Sequence, residues 1–139
     1  MTWKPHVTVA AVIEDNGKFL FVEEIINGEL TLNQPAGHLE PGESIIEAVI
    51  RETREETAYE FQPTSLLGLY RYQLNTQGKT FLRYCFTGKL IKQLENTQLD
   101  PDIEQIVWLT YEELQQQRSR CRSPLGMRRL EDYLAGQQE

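Results

Sequence analysis

Apolar and polar residues along this chain follow two rhythms, one with a period of two and one helical. Val7 to Ile13 is a β-branched apolar run that predicts a largely buried strand. Asn16-Gly17 predicts a tight turn, from which Lys18 to Ile26 returns as a hairpin partner. Asn27-Gly28 marks a second turn before a short strand at Leu30 to Leu32, and Asn33 to Gly42, rich in proline and glycine, predicts loop. The rhythm then turns helical from about Ser44 to Thr57: Ile46, Val49, Ile50 and Thr53 form an apolar face, and Ser44 with Glu47 makes a capping box. Strand patterning resumes in Leu66 to Leu74 and Thr80 to Ile91, joined by a loop around Asn75 to Lys79, and again in Ile103 to Leu109. Thr110 with Glu113 makes a second capping box, opening a helix through about Gln117, and Pro124 to Leu134 predicts a final helix.

Strands interrupted by one internal helix and closed by C-terminal helices predict an α/β sandwich around a mixed sheet. No Gly-x-Gly-x-x-Gly or Walker loop follows any strand, which excludes a doubly wound nucleotide fold. A chain of 139 residues, without repeat or linker, predicts a single domain spanning 1–139; a monomer is expected ahead of a dimer, though nothing in the chain fixes the oligomeric state. Its 40% hydrophobic and 25% charged residues describe a soluble globular protein. The net charge of −7 argues against binding nucleic acid through a basic patch. No leader pattern and no apolar run of membrane-spanning length occur, so the expectation is a cytoplasmic protein without a membrane partner. Cys85 lies in an apolar strand run and is expected to be a buried reduced thiol; neither it nor Cys121 has metal-ligand spacing.

The candidate chemistry sits in Gly37 to Tyr59, GHLEPGESIIEAVIRETREETAY. Glu52, Glu55 and Glu56 lie three and four residues apart, so a helix places their carboxylates on one face. Like charges so placed repel unless a cation sits among them, and a divalent, oxygen-preferring ion such as Mg²⁺ answers that need. Such an ion also lets an acidic protein hold phosphates. Glu52 and Glu56, one turn apart, can clamp one ion, with Glu55 serving a second ion or a bridging water. Arg51 follows Glu47 by four residues and Glu43 by eight; an ion pair that holds loop and helix in register is its expected role, ahead of a phosphate contact.

This window resembles the Nudix box, Gly-x5-Glu-x7-Arg-Glu-U-x-Glu-Glu-x-Gly-U, where U is bulky and apolar. Gly37, Glu43, Arg51, Glu52, Glu55 and Glu56 fall on its fixed positions. Thr53 stands where the family has an aliphatic residue; it is β-branched and small, and costs little if its hydroxyl back-bonds into the helix. Ala58 replaces the glycine just past the helix, so either it is strained by about 1 kcal/mol or the helix ends differently. Shorter stretches extend the likeness: Lys4 to Ala10, Gly17 to Leu20, Val22 to Glu24, Ile26 to Gly28, Asn33 to Glu40 and Arg122 to Leu125.

The resemblance implies a Nudix-type α/β/α sandwich and a Mg²⁺-dependent hydrolase of diphosphate linkages, with Mn²⁺ as a substitute ion. It makes Glu43, Arg51, Glu52, Glu55 and Glu56 the catalytic set and adds the carbonyl of Gly37 to the metal ligands Glu52, Glu55 and Glu56. The likeness points to members that release phosphate from nucleoside tri- and diphosphates and from hydroxymethylpyrimidine or thiamine pyrophosphates. Dinucleoside polyphosphate or ADP-ribose cleavage is the alternative within the family. A non-catalytic nucleotide-binding module is a third reading, against which the retention of every box glutamate argues.

Outside the box, Asp100, Asp102 and Glu104 are candidates for the general base. Glu104 ranks first and is also a candidate metal ligand, the alternative being an exposed strand-edge acid. Lys4, His6, Arg71 and Arg83 are candidate phosphate contacts or plain surface charges. His38 either touches a leaving phosphate or is a satisfied loop histidine. Tyr70, Tyr72, Phe81 and Tyr84 either stack on a base or fill the core. The expected partner is a small nucleotide or pyrophosphate.

Overall fold

The computed structural model describes residues 2–74, 78–95, 98–122 and 125–137. In chain order these form β1 (His6–Asp15), β2 (Lys18–Ile26), β3 (Glu29–Asn33), β4 (Ala36–His38), α1 (Ile45–Thr57), β5 (Tyr59–Leu74), β6 (Lys79–Gln93), β7 (Ile103–Leu109), α2 (Tyr111–Gln116), a 3₁₀ turn at Arg118–Arg120, and α3 (Leu125–Gln137). Asn16 and Gly17 (φ 52° and 80°), like Asn27 and Gly28 (φ 53° and 80°), put both central turn residues at positive φ, the backbone that joins β1 to β2 and β2 to β3 as tight hairpins.

The described strands make a seven-stranded mixed sheet, ordered β3-β2-β1-β6-β5, with β4 added to β1 and β7 to β2. β1 and β6 run parallel, from His6 opposite Phe81 to Ile13 opposite Gly88. β1 pairs with β2 at the hairpin end, through Glu14 and Asp15. Farther from the hairpin β1 takes β4 as its antiparallel neighbour and β2 takes β7, so the sheet divides into two halves. β1 is apolar at successive positions because both its faces are covered. Val9, Ala11 and Ile13 pack with Ala48 and Val49 of α1. Ala10 and Val12 face the opposite layer, with Leu114 of α2 and Met127 and Leu130 of α3. The result is the expected α/β/α sandwich.

Three expectations change. Asn33 to Gly42 is not all loop: Ala36–His38 pairs with Thr8 to Ala10 as β4. Its Pro-Ala-Gly composition hides a strand that forms only because β1 supplies the ladder. β5 starts at Tyr59, seven residues before the apolar signal at Leu66. It is an outer strand, so Pro63 opposite Gly88 is tolerated. Gly88 must be glycine there, since a Cβ would stand 2.1 Å from the Gln62 carbonyl oxygen. On α1, Ile46 is 53% exposed and lies off the apolar face, which is built by Ala48, Val49 and Thr53. Both capping boxes form as read, Ser44 with Glu47 and Thr110 with Glu113. Asn75 to Gln77 of the expected loop and Pro124 of the last expected helix lie outside the described residues.

Ala58 resolves its alternative: it takes the left-handed conformation (φ 62°, ψ 25°) that the family glycine would, and its N–H donates to the Arg54 carbonyl. Thr53 does not back-bond. Its Oγ1 is buried with no hydrogen-bond partner among the described residues, while Thr57 donates to the Thr53 carbonyl at 2.6 Å.

Candidate active site

α1 begins where Ser44 Oγ accepts from Glu47 N–H at 3.0 Å and Glu47 accepts in return from Ser44 N–H at 2.8 Å. Glu47 is thereby committed to the cap, and Arg51 pairs elsewhere. Its Nε and Nη2 grip both oxygens of Glu43 at 2.6 and 3.0 Å. Nη1 donates to Glu52 at 2.7 Å and Glu55 at 2.9 Å, and Nη2 also reaches the His38 carbonyl at 3.1 Å. One guanidinium therefore ties the preceding loop, the β4 end and two turns of helix together. The Arg51 hydrogen bonds hold the Glu43 carboxyl below its ordinary range and raise Arg51 itself.

The box carboxylates divide into an outer and an inner group that share Glu52. In the outer group, carboxylate oxygens of Glu52, Glu55 and Asp100 lie within 4.8 Å of one another. Asp100 arrives there because its N–H donates to the Glu55 carbonyl at 3.0 Å and its own carbonyl caps the turn into β7 through Ile103 N–H at 3.0 Å. In the inner group, Glu56 is buried and accepts from Ala36 N–H at 2.9 Å. Burial pushes its carboxyl up to about 9, with Glu24, Glu52 and Asp100 adding repulsion. Burial likewise raises Glu24, Glu52 and Asp100, with Arg51 partly offsetting the effect at Glu52.

Such a set fits a hard divalent cation, which wants several anionic oxygens at short range and would offset the burial and mutual repulsion that raise Glu52, Glu56 and Asp100. Gly37 fits it too: a Cβ there would stand 2.1 Å from Glu52 Cδ, so only glycine lets the Glu52 carboxylate rest against the β4 backbone. The glycine is required by this close approach, since it is not among the positive-φ glycines.

Glu24, Glu52 and Glu56 form one wall of a cavity of about 350 Å³, and Tyr72, Phe81 and Arg83 line the same space. Arg83 is buried, with its Nε donating to Thr8 Oγ1 at 3.0 Å. His38 lies at the exposed rim, its imidazole pulled below its ordinary value by partial burial and by His6, Arg83 and Arg122. Phe81 is sandwiched between Tyr72 and His6, with ring centroids 5.1 and 5.0 Å away.

The other candidates fall outside this cavity. Lys4 and Asp102 are exposed, and Arg71 lines a separate groove with Tyr70, Leu125 and Asp132. Tyr70 donates to Asp132 at 2.6 Å, and Tyr84 packs against the α1-side core. Glu104 is the extra residue of a bulge, since Gln105 faces Glu23 while Ile103 faces Glu24. It is exposed and lines a different groove with Ile25 and Leu30. Reading by residue type missed Thr8, Glu24, Asn33 and Arg122 in the cavity wall. Glu24 had a faint signal, an acid that follows the apolar run of β2 in a doubled glutamate; Glu23 instead turns away to Gln105 and Arg120.

Residues 4–126 match the family model of the NUDIX domain. Phosphatase NudJ of Escherichia coli (strain K12) is 42% identical over 135 residues, which cover 97% of this chain and 87% of that protein. The structure of a NUDIX hydrolase from Nitrosomonas europaea is 47% identical with a TM-score of 0.92, covering 96% of this chain and 90% of that one. The E. coli ORF135 protein shares the fold alone at 24% identity, with a TM-score of 0.75 over 95% of this chain and 90% of its own.

Proposed function

The chain belongs to the Nudix family of hydrolases and acts on small-molecule phosphates, and from that premise we propose a Mg²⁺-dependent phosphohydrolase that releases terminal phosphate from small pyrophosphates. The substrates proposed are nucleoside tri- and diphosphates and hydroxymethylpyrimidine or thiamine pyrophosphates, as the likeness to phosphatase NudJ suggests. The observation that carries this reading is the convergence of Glu52, Glu55 and Asp100 oxygens within 4.8 Å, beside a buried Glu56.

When bound, the divalent cation neutralises phosphate charge and lowers the pKa of a coordinated water. Glu52, Glu55, Glu56 and the Gly37 carbonyl are the proposed ligands, and Asp100 joins them. Arg51 holds Glu52 and Glu55 in place through its hydrogen bonds, while its grip on Glu43 fixes the loop. Water oxygen bonds to phosphorus as the bridging P–O bond breaks, and the proton from water passes to a carboxylate. Asp100, whose carboxylate stands with those of Glu52 and Glu55, is the proposed acceptor, ahead of Glu104, which opens on another groove. The cavity, at about 350 Å³, lies at the small end for ligand sites. Two free thiols suit a reducing, cytoplasmic setting.

The test is phosphate release from a nucleoside diphosphate with and without Mg²⁺. Turnover is expected only with the ion, and Glu56→Gln should lower kcat on the order of 100-fold or more with folding retained. Full activity in that variant would remove Glu56 from the metal site.

A further inference from the structure

Resting on the hydrolase reading above, we propose that Arg83 is the specificity residue that binds the terminal phosphate of the substrate and sets the preference for an uncapped phosphate end. Arg83 is only 8% exposed. Among the described residues it forms no ion pair, and its one hydrogen bond runs from Nε to Thr8 Oγ1 at 3.0 Å. Guanidinium carries five N–H donors, so the fork formed by its two Nη groups is left for something other than protein. Neither Nη of Arg83 is a buried polar atom without a partner, so the fork meets the open space of the cavity, where an anion can pair with it.

The surroundings fix where that fork sits. Thr8 lies directly opposite Arg83 in the parallel β1–β6 ladder, so the hydroxyl that holds Nε is set by sheet register. The guanidinium carbon stands 5.7 Å from the Tyr72 ring centroid, and Tyr72 is braced by its stack on Phe81. Burial draws the guanidinium below its ordinary value but leaves it a cation. Arg83 lines the same cavity as Gly37, Glu52 and Glu56, so an anion held beside those carboxylates shares its space with the fork.

A pyrophosphate end would suit both groups. Glu52, Glu55 and Glu56 would hold an ion that neutralises one phosphate, and the next phosphate would offer nonbridging oxygens to the Arg83 fork. A terminal phosphate presents three such oxygens and up to two charges. A phosphate capped by a sugar or a second nucleoside presents two oxygens, one charge and a bulky ester. A planar cationic fork therefore favours the more highly charged, uncapped end. In the reaction a water oxygen bonds to the attacked phosphorus and the bridging P–O bond breaks. Orthophosphate departs, and the proton taken from water goes to a carboxylate.

The experiment compares wild type, Arg83→Gln and Arg83→Lys by kcat/KM on a nucleoside diphosphate and on a dinucleoside polyphosphate, with Mg²⁺ present. Binding of inorganic phosphate is measured separately by calorimetry. Arg83→Gln is expected to lose about 100-fold on the nucleoside diphosphate and less than about threefold on the capped substrate. Arg83→Lys should regain part of that loss, returning charge without the fork. Phosphate affinity should fall in parallel, while both variants stay folded, since only the Thr8 hydrogen bond and the Tyr72 contact are lost. An equal loss on both substrates, an undiminished phosphate affinity, or failure of both variants to fold would overturn the assignment. A wild type that hydrolyses neither substrate yet binds phosphate through Arg83 would remove the hydrolase reading and leave this anion site standing.

Discussion

Gly37 and Glu52 meet so closely that the site begins with an absent side chain: a Cβ at Gly37 would lie 2.1 to 2.5 Å from the Glu52 carboxyl atoms. Ala58 is the opposite case, a residue with a Cβ in a conformation that suits glycine, at φ 62°. Nothing in its hydrogen bonding demands alanine, since the N–H contact to Arg54 and the carbonyl contact to Leu94 both use backbone. Ala58→Gly is therefore expected to stabilise the fold by up to about 1 kcal/mol. Denaturant unfolding checks this, with kcat/KM expected to stay at its wild-type level. An unchanged or lowered midpoint would show that Ala58 carries no net strain.

At the scale of the element, α1 is both a capped helix and the proposed metal-binding face, and Arg51 joins the two roles. Its residues recur at three and four, so Glu52, Glu55 and Glu56 were placed on adjoining faces by local geometry alone. What periodicity left open is which carboxylate turns in: Glu56 meets the Ala36 N–H while Glu55 meets Asp100. Arg51→Met removes the grip on Glu43 and the contacts to Glu52 and Glu55. It is expected to weaken Mg²⁺ binding by about 10- to 100-fold, the range for losing the groups that orient metal ligands. Titration with Mg²⁺ followed by activity tests this; an unaltered ion affinity would reduce Arg51 to a surface pair. β4 shows the limit at this scale, because Ala36–His38 has no strand pattern of its own and forms on the ladder that β1 provides.

Across the whole molecule, three elements bring four acids to one place: Glu24 from β2, Glu52 and Glu56 from α1, and Asp100 from the turn before β7. Their shared rise has a definite sign. Glu56 keeps its proton in the metal-free fold up to about 9, against its ordinary 4.5. The native state thus holds more protons than the unfolded chain across that window, so metal-free stability falls as pH climbs through it. The melting temperature without metal is expected to decline from the acid to the alkaline end of this range, and Glu56→Gln should flatten the decline. Mg²⁺ competes with those protons, so its affinity should rise with pH and its binding should release protons. Calorimetry in buffers of different ionisation enthalpy reads that release; binding heats independent of buffer would contradict it.

The sequence by itself determined what lies close along the chain. The Asn-Gly hairpins, both capping boxes, the twice-covered β1 and the box from Gly37 to Glu56 all rest on spacings of a few residues, which turn and helix geometry fix without help. The family, and with it hydrolysis of phosphates, was within reach on those terms. Tertiary structure alone decided the members that come from far away: Asp100 beside Glu55, Glu24 beside Glu56, and Arg83 under Tyr72 with its fork open to the cavity. It also sent Glu104 to another groove, through a single bulge that no pattern announced. The reason is sheet register. A shift of one residue in β6 or β7 turns a side chain from one face to the other, and register is settled by pairing across the molecule.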